Sequence, residues 1–385
     1  MTSSYDVIIG GGSIAGLTFA GEAARRGLEV LVLEEDAQIG EPEKCDGLVS
    51  LRELRRYMAP SADCIQSYVR RGIIHSPSGE TATLDATKLE VVVLDRSEYD
   101  RQLMERAEAW GAKIKRSSRI NDVTEKGDAV RVMADSTYEA KYYVDATGPS
   151  AATIHARRNL IPAAKYEVAG DWFNDGEVEV FLDQGKYPGF FAWVIPRGDG
   201  VAKVGAAGRG INSFRALDSF LSDKRQNIVR RVAAPIYVGG AISEFVSGRK
   251  IYVGESAGQV KPTTAGGITT SVAAGVIAAR WVSDSLNLRD PSVLKRYQRD
   301  WEERFGREFR LMARIRKVLE GLTNRELDAM VAQLGSDRVR KKLASSDFDY
   351  HASSLLSALG VAGVLKLARI LVSAEARELI ASLAQ

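Results

Sequence analysis

Tyr5-Asp6-Val7-Ile8-Ile9-Gly10-Gly11-Gly12-Ser13-Ile14-Ala15-Gly16 opens the stretch that decides the fold, and Val30-Leu31-Val32-Leu33-Glu34 closes it. Asp6–Ile9 is a short apolar run, broken by the glycine triplet. Ile14–Arg26 carries a helical apolar pattern, with Gly27 placed to cap its C-terminus. Val30–Leu33 is a continuous apolar strand of the kind buried inside a parallel sheet. Strand, glycine loop, helix and strand make one βαβ unit, whose backbone N–H groups at the helix N-terminus suit a phosphate. Counted back from Gly16 and Ala20, the G-x-G-x-x-G frame falls on Gly11, Ser13 and Gly16. Ser13 then stands where a glycine lets backbone approach a pyrophosphate, and a frame starting Gly10-x-Gly12 avoids that substitution. Glu34 ends the second strand where a carboxylate accepts hydrogen bonds from ribose hydroxyls, and Glu35 follows it. Gly11, Gly12, Ser13, Ala15, Gly16, Glu34 and Glu35 are the expected dinucleotide contacts of this unit.

Outside this unit, composition excludes more than it assigns. The 385 residues suffice for roughly two domains of ~100–200 residues. A content of 45% hydrophobic and 27% charged residues is that of a globular chain. Lys+Arg 53 against Asp+Glu 50 leaves a net charge of +3, too balanced for nucleic acid to be the main partner. Two cysteines, Cys45 and Cys64, build no disulfide scaffold, four-thiolate zinc site or iron–sulfur cluster. His75, His155 and His351 are not spaced as metal ligands, so no metal centre is expected. The strand at Tyr5 leaves no room for a signal peptide, and the apolar stretch Leu355–Leu365 meets Lys366 and Arg369 too soon to span a bilayer. The expectation is a cytoplasmic protein with reduced thiols.

Further along, Ser50–Tyr57 reads as helix and Ile73–Val93 as successive strands around Ser76-Pro77-Ser78-Gly79. Glu98–Trp110 is a helix, followed by strands at Lys113–Arg116, Ala129–Ala134 and Tyr142–Asp145. Glu167–Val204 is strand-rich, Ile251–Gly254 is a short strand, and Ile268–Ser285 is a long small-residue helix. The fold class is therefore mixed α/β: a Rossmann-type dinucleotide domain from discontinuous segments, a β-rich substrate domain and a helical C-terminal tail. The expected boundaries are 1–50, 85–160 and 245–285 for the first, 51–84 and 161–244 for the second, and 286–385 for the third.

Later motifs choose between FAD and NAD. Asp95-Arg96-Ser97-Glu98-Tyr99-Asp100-Arg101-Gln102-Leu103 resembles the D-R-x-x-F-D-x-x-L segment of the aromatic hydroxylase superfamily of flavoproteins. That resemblance places Arg96 beside a flavin; without it, the stretch reads as a helix start with acids in the first turn. Asp145-Ala146-Thr147-Gly148 resembles the D-A-T-G strand end of the same proteins, and Gly148 is expected at the cofactor. Gly254-Glu255-Ser256-Ala257-Gly258 through Pro262 to Ala265-Gly266-Gly267-Ile268 resembles G-D-A-A-G-x-x-x-P-x-x-G-G-G-I, with Glu255 for Asp and Ala265 for Gly. The resemblance implies that Gly254 and Glu255 meet the ribityl or pyrophosphate groups. It also implies that Gly266, Gly267 and Ile268 open a helix whose dipole stabilises reduced, anionic flavin.

Two segments narrow the subfamily. Lys44-Cys45-Asp46-Gly47-Leu48-Val49-Ser50 places a thiol where the chain turns toward the flavin. Pro188-Gly189-Phe190-Phe191-Ala192-Trp193-Val194-Ile195-Pro196 fits P-x-x-Y-x-W-x-F-P, with Phe191 for Tyr and Ile195 for Phe. Together they resemble the geranylgeranyl reductase family, which saturates isoprenoid chains, and in particular its archaeal lipid branch. The resemblance implies FAD, an isoprenoid lipid substrate, hydride delivery to one alkene carbon and a proton to the other. Cys45, Asp46 and Gly47 are then expected at the cofactor, and Phe190, Phe191, Trp193 and Pro196 at the substrate cavity. Cys45 has two readings, a thiol near the flavin that helps protonate or position the alkene, or a buried, inert one. The electron donor is left open between NAD(P)H, ferredoxin and a reduced quinone. Phe305, Phe309, Met312, Ile315 or Arg316, and Leu319 lie at helical spacing among basic residues, a pattern that fits either peripheral membrane contact at the inner face or packing on the main body. Arg338–Lys342 has the same ambiguity. Rival functions are a flavin monooxygenase or halogenase, and a non-catalytic flavin-binding protein.

Overall fold

The computed structural model describes residues 3–151, 159–344, 348–349, 351–355 and 357–358, so His155 and most of Leu355–Leu365 lie outside the described residues. The opening unit comprises the strand Ser3–Gly10, the helix Ile14–Arg25 and the strand Val30–Leu33. Val30–Leu33 is buried throughout because it has parallel neighbours on both sides, Ser3–Gly10 and Lys113–Lys115. On the other side of Ser3–Gly10 lie Thr137–Asp145 and then Lys250–Tyr252, both parallel. Chain order thus reverses at Ser3–Gly10. The glycine loop that follows it sits at the topological switch point, where open α/β sheets bind their ligands. A polar hairpin, Asp122–Lys126 and Ala129–Met133, extends Thr137–Asp145 and includes a strand that the sequence pattern does not reveal.

The small-residue helix Ile268–Leu288 packs on Ile14–Arg25. A Cβ on Gly275 would lie 2.8 Å from the Ala15 carbonyl oxygen, so the helices meet backbone to backbone. Buried Ala273, Ala274 and Ala278 keep that approach close.

A second sheet has the order Gln226–Ala233, Ala163–Gly170, Val201–Ala207, Ala192–Gly198, Glu177–Phe181, Arg71–His75, Thr81–Asp85. It is antiparallel except where Glu177–Phe181 runs parallel to Arg71–His75. Residues 71–85 therefore join residues 163–233 in one layer, although they are far apart in sequence. A smaller sheet of Leu48–Ser50, Val91–Leu94 and Ile65–Tyr68 lies where the chain passes between the two. The helix after Ser50 covers only Leu51–Leu54, with Ser50 Oγ accepting from the Glu53 N–H at 3.3 Å.

The C-terminal region continues as Lys295–Trp301, a wide-turned segment Glu302–Gly306, and helices Arg307–Gly321, Asn324–Leu334 and Asp337–Leu343. Its apolar stripe faces inward: Phe305, Phe309 and Met312 are buried. The Trp301 ring centroid lies 5.3 Å from Phe305 and 4.8 Å from Phe309. Packing on the main body is thus the use made of this face. Among the described residues, no helix is long and apolar enough to cross a membrane.

Candidate active site: one cavity between a glycine cradle and an aromatic wall

A cavity of about 1060 Å³ runs from the glycine loop to the second sheet. Pockets of ~300–1,000 Å³ hold drug-sized ligands, so this one has room for a dinucleotide together with part of a second ligand. Gly11, Gly12, Ser13, Ala15, Glu34, Glu35, Cys45, Asp46, Gly47, Arg96, Gly148, Glu255, Gly266, Gly267 and Ile268 all line it, as do Phe190, Phe191 and Trp193. Gly16, Gly254 and Pro196 lie behind the wall. A Cβ on Gly16 would come within 2.1 Å of the Gly11 carbonyl oxygen, and one on Gly254 within 2.7 Å of the Ala15 Cβ. These two glycines serve close packing. Pro196 is buried, and its carbonyl accepts from Ser67 Oγ at 2.8 Å.

The glycine loop packs tightly against the chain just after Thr137–Asp145. Gly11 has φ +100°, and a Cβ there would lie 2.4 Å from the Ala146 carbonyl oxygen. Glu34 Oε2 accepts from the Gly12 N–H at 2.5 Å, which holds the carboxylate at the mouth of the loop. Ser13 is the N-cap of the first helix, yet its hydroxyl makes no cap bond. It donates instead to Asp100 Oδ2 at 3.0 Å and accepts from Arg96 Nη2 at 3.3 Å. Serine in a glycine position thus becomes a link to the next motif.

Arg96 and Asp100 are both buried and paired, with Nη2 donating to Oδ1 at 2.8 Å and Nε to Oδ1 at 3.1 Å. Burial acts against the guanidinium charge, but the Asp100 carboxylate and the adjoining Cys45 sulfur outweigh it and push Arg96 up. Glu255 opens onto the cavity, and its Oε1 accepts from the Tyr237 N–H at 3.2 Å. Burial pushes its carboxyl up to about 7, only partly offset by that hydrogen bond. Ala265 is held at φ +54°, the left-handed conformation that a glycine adopts without strain, which gives this departure from the motif a physical meaning.

At the other end, Phe190 and Phe191 stack with centroids 4.0 Å apart, and Trp193 meets Phe191 edge-on at 5.9 Å. Trp193 lies over Gly205 on the neighbouring strand, where a Cβ would fall 2.0 Å from the indole. Behind this wall the helix Arg307–Gly321 supplies buried Arg316. Arg316 donates to the Gly189 carbonyl and lies 4.9 Å from the centre of the Phe190 ring. Ile73, Leu84, Leu89, Val91, Val178 and Ile195 extend the lining into an apolar chamber.

Sequence reasoning misses the residues that join the two halves. Lys165 and Lys203 rise from adjacent strands of the second sheet, and both are buried. Lys203 Nζ donates to Glu43 Oε1 at 2.6 Å and to the Asp46 and Leu94 carbonyls at 3.3 Å each. Lys165 Nζ donates to the Cys45 carbonyl at 2.9 Å and stands 3.9 Å from Asp46 Oδ1. The loop carrying Cys45 is thus clamped to the second sheet by two ammonium groups. The available signal was a lysine in an otherwise apolar or small-residue strand, as in Val201-Ala202-Lys203-Val204.

Bare glycine backbone on the cavity wall at Gly11–Gly12 and Gly266–Gly267, a carboxylate at the loop, and an apolar chamber beyond them fit FAD better than a nicotinamide dinucleotide alone. Among the described residues, no His, Cys, Asp or Glu cluster is arranged to hold a metal ion. The fold and the site define a Rossmann-type FAD flavoprotein. No family model matches the chain. It is 30% identical over 351 residues to digeranylgeranylglycerophospholipid reductase 1 of Methanopyrus kandleri, covering 84% of this chain and 92% of that one. It is 28% identical to the digeranylgeranylglycerophospholipid reductase of Methanocaldococcus jannaschii, over 86% of this chain and 90% of the relative. The crystal structure of a geranylgeranyl bacteriochlorophyll reductase-like protein from Thermoplasma acidophilum superposes with a TM-score of 0.83 at 22% identity, covering 96% of this chain and all of that one. The chain belongs to the digeranylgeranylglycerophospholipid reductase family.

Proposed function

We propose that the protein is an FAD-dependent reductase that saturates the carbon–carbon double bonds of geranylgeranyl chains on an archaeal-type glycerophospholipid. One observation carries this reading: a single cavity joins the glycine cradle to an apolar chamber walled by Phe190, Phe191 and Trp193. An isolated alkene offers almost no polarity to hold, so its orientation depends on apolar walls beside the hydride source. In this reading Gly11, Gly12 and Ser13 receive the pyrophosphate and Glu34 the ribose. Arg96, Gly148, Glu255 and the helix start at Gly266–Ile268 surround the flavin. Cys45 lies at the junction of flavin and substrate. Residues 1–50, 85–160 and 245–285 act as the cofactor domain, and 51–84 with 161–244 as the substrate domain. The electrons come from an external NAD(P)H, ferredoxin or reduced quinone, and the lipid is drawn from the membrane surface where it resides.

The test is anaerobic. The purified yellow protein is photoreduced and mixed with digeranylgeranylglyceryl phosphate while the flavin spectrum and product mass are followed. Reoxidation without oxygen, with two hydrogens gained per reduced bond, is the expected result. A flavin that stays reduced until air enters refutes the proposal in favour of oxygen chemistry or a non-catalytic role. Repeating the reduction in the dark with each candidate donor identifies the physiological one by its rate.

A further inference from the structure

Saturating an alkene needs a proton as well as a hydride, and the apolar chamber offers few acids. We infer that the Asp46 carboxyl, next to Cys45 on the clamped loop, donates that proton and that Lys165 holds the carboxylate left behind; this rests on the prenyl reduction proposed above.

Asp46 lines the cavity together with Cys45, Lys165, Phe191 and Trp193. A carboxylate placed for structure alone collects donors. Asp46 Oδ1 is buried and has no hydrogen-bond partner among the described residues. Both nearby ammonium groups are directed elsewhere, Lys165 Nζ to the Cys45 carbonyl and Lys203 Nζ to Glu43. Lys165 remains 3.9 Å from Oδ1, close enough to favour a charge but not bonded to it. The Trp193 indole N–H lies near the carboxyl and also favours its charged form, in a geometry short of a full hydrogen bond. Of the charged groups facing Asp46, Lys165 and Lys203 favour ionisation and Glu43 opposes it, while Arg96, beside the Cys45 thiol, is committed to Asp100. Burial outweighs the two lysines and pushes the Asp46 carboxyl up, toward the form that carries a proton.

The balance closes. Hydride, a proton with two electrons, is taken up from reduced flavin at one alkene carbon, and the proton on the Asp46 carboxyl is taken up at the other. The π bond breaks, two C–H bonds form, the flavin is left oxidised, and Asp46 is left as a carboxylate facing Lys165 until water returns its proton. Raising a carboxyl by burial so that it serves as a general acid is an established device of active sites.

The experiment uses the full-length holoprotein as wild type, Asp46→Asn, Asp46→Glu and Lys165→Met. Infrared difference spectra across pH follow the carbonyl band of a protonated carboxylic acid, which needs no turnover. That band should titrate in wild type, vanish in Asp46→Asn and move to higher pH in Lys165→Met, because the lost cation no longer favours the anion. In anaerobic single turnover with digeranylgeranylglyceryl phosphate, Asp46→Asn should slow alkene-dependent flavin reoxidation by ~10²–10⁴-fold while binding flavin and lipid as wild type does. Asp46→Glu should restore part of the rate. In Lys165→Met, the high-pH limb of the rate profile should shift upward with the infrared titration. An Asp46→Asn rate within about threefold of wild type, or an unchanged infrared band, overturns the role of Asp46. If Asp46→Asn does not hold flavin, an unshifted rate limb in Lys165→Met overturns it equally. Wild type that fails to reoxidise with lipid refutes the prenyl reading itself, an outcome distinct from wild type and Asp46→Asn turning over alike.

Discussion

Replacing Lys203 by Met tests how the two halves of the site are joined. The Lys203 side chain is 0% exposed and that of Glu43 is 6% exposed, with 2.6 Å between the charged atoms. Methionine keeps the apolar stem and removes the ammonium. Among the described residues, Glu43 would then keep one weak donor, the Arg96 backbone N–H at 3.4 Å, and no ion-pair partner. Stranding one member of a buried pair costs about 3–5 kcal/mol. Removing both members is far milder, since neither charge then remains uncompensated. The Lys203→Met, Glu43→Gln double variant should therefore recover much of the loss, which requires a coupling larger than the cost of Glu43→Gln alone, about 3 kcal/mol or more. Urea unfolding of the four proteins closes the cycle. Because Lys203 also binds the Asp46 and Leu94 carbonyls, the single variant should bind FAD more weakly as well. A loss below about 1 kcal/mol, or no recovery in the double variant, would refute the idea that this pair fastens the Cys45 loop.

Other predictions follow from single positions. Gly205→Ala forces a Cβ into the Trp193 indole, so the aromatic wall must move. Turnover should fall while FAD affinity holds, as measured by flavin titration beside the alkene assay. Ala265→Gly relieves the positive φ and should stabilise the protein by up to about 1 kcal/mol, the relief exceeding the added chain entropy, as read from the shift in urea midpoint. Glu255 gives the ligand-free protein a pH dependence. Its carboxyl is raised from 4.5 to about 7, so between these values the folded chain keeps a proton that the unfolded chain has lost. That contribution is fully present below the unfolded value and is lost as pH rises toward 7, by on the order of 3 kcal/mol at most. Glu255→Gln should flatten this slope in urea unfolding at pH 5 and pH 7.5.

The parts of the site that the sequence announces are those where local chemistry is constrained. Gly11 and Gly148 are legible because the backbone turns there through φ +100° and +69°, and Gly266–Gly267 because a Cβ would strike Lys261 and Val260, so few residue types are permitted at any of them. The aromatic run Phe190–Trp193 is legible as an apolar cluster between turn residues. Lys165 and Lys203 are not, because a lysine in a strand reads as a solvated face until the strand's neighbours are known. Their partners Glu43 and Asp46 lie more than a hundred residues away. The same limit hides Arg316, which reads only as an alternative to Ile315 in the helical stripe yet donates to the Gly189 carbonyl behind the aromatic wall. Gln226–Ala233, with its arginines, becomes a strand only because Ala163–Gly170 pairs with it, a long-range contact that local pattern does not encode.

The seat of Trp193 over Gly205 also has an optical consequence. The chain has five tryptophans, and Trp193 is the one that lines the cavity. Trp110, Trp172, Trp281 and Trp301 do not line the cavity, so a lipid chain inside it touches none of them. The indole in the wall reports selectively on what fills the chamber. Flavin entry should dim it by energy transfer, and a lipid chain laid against it should shift its colour to the blue, so the protein carries its own fluorescent gauge of loading, in native form and without a label.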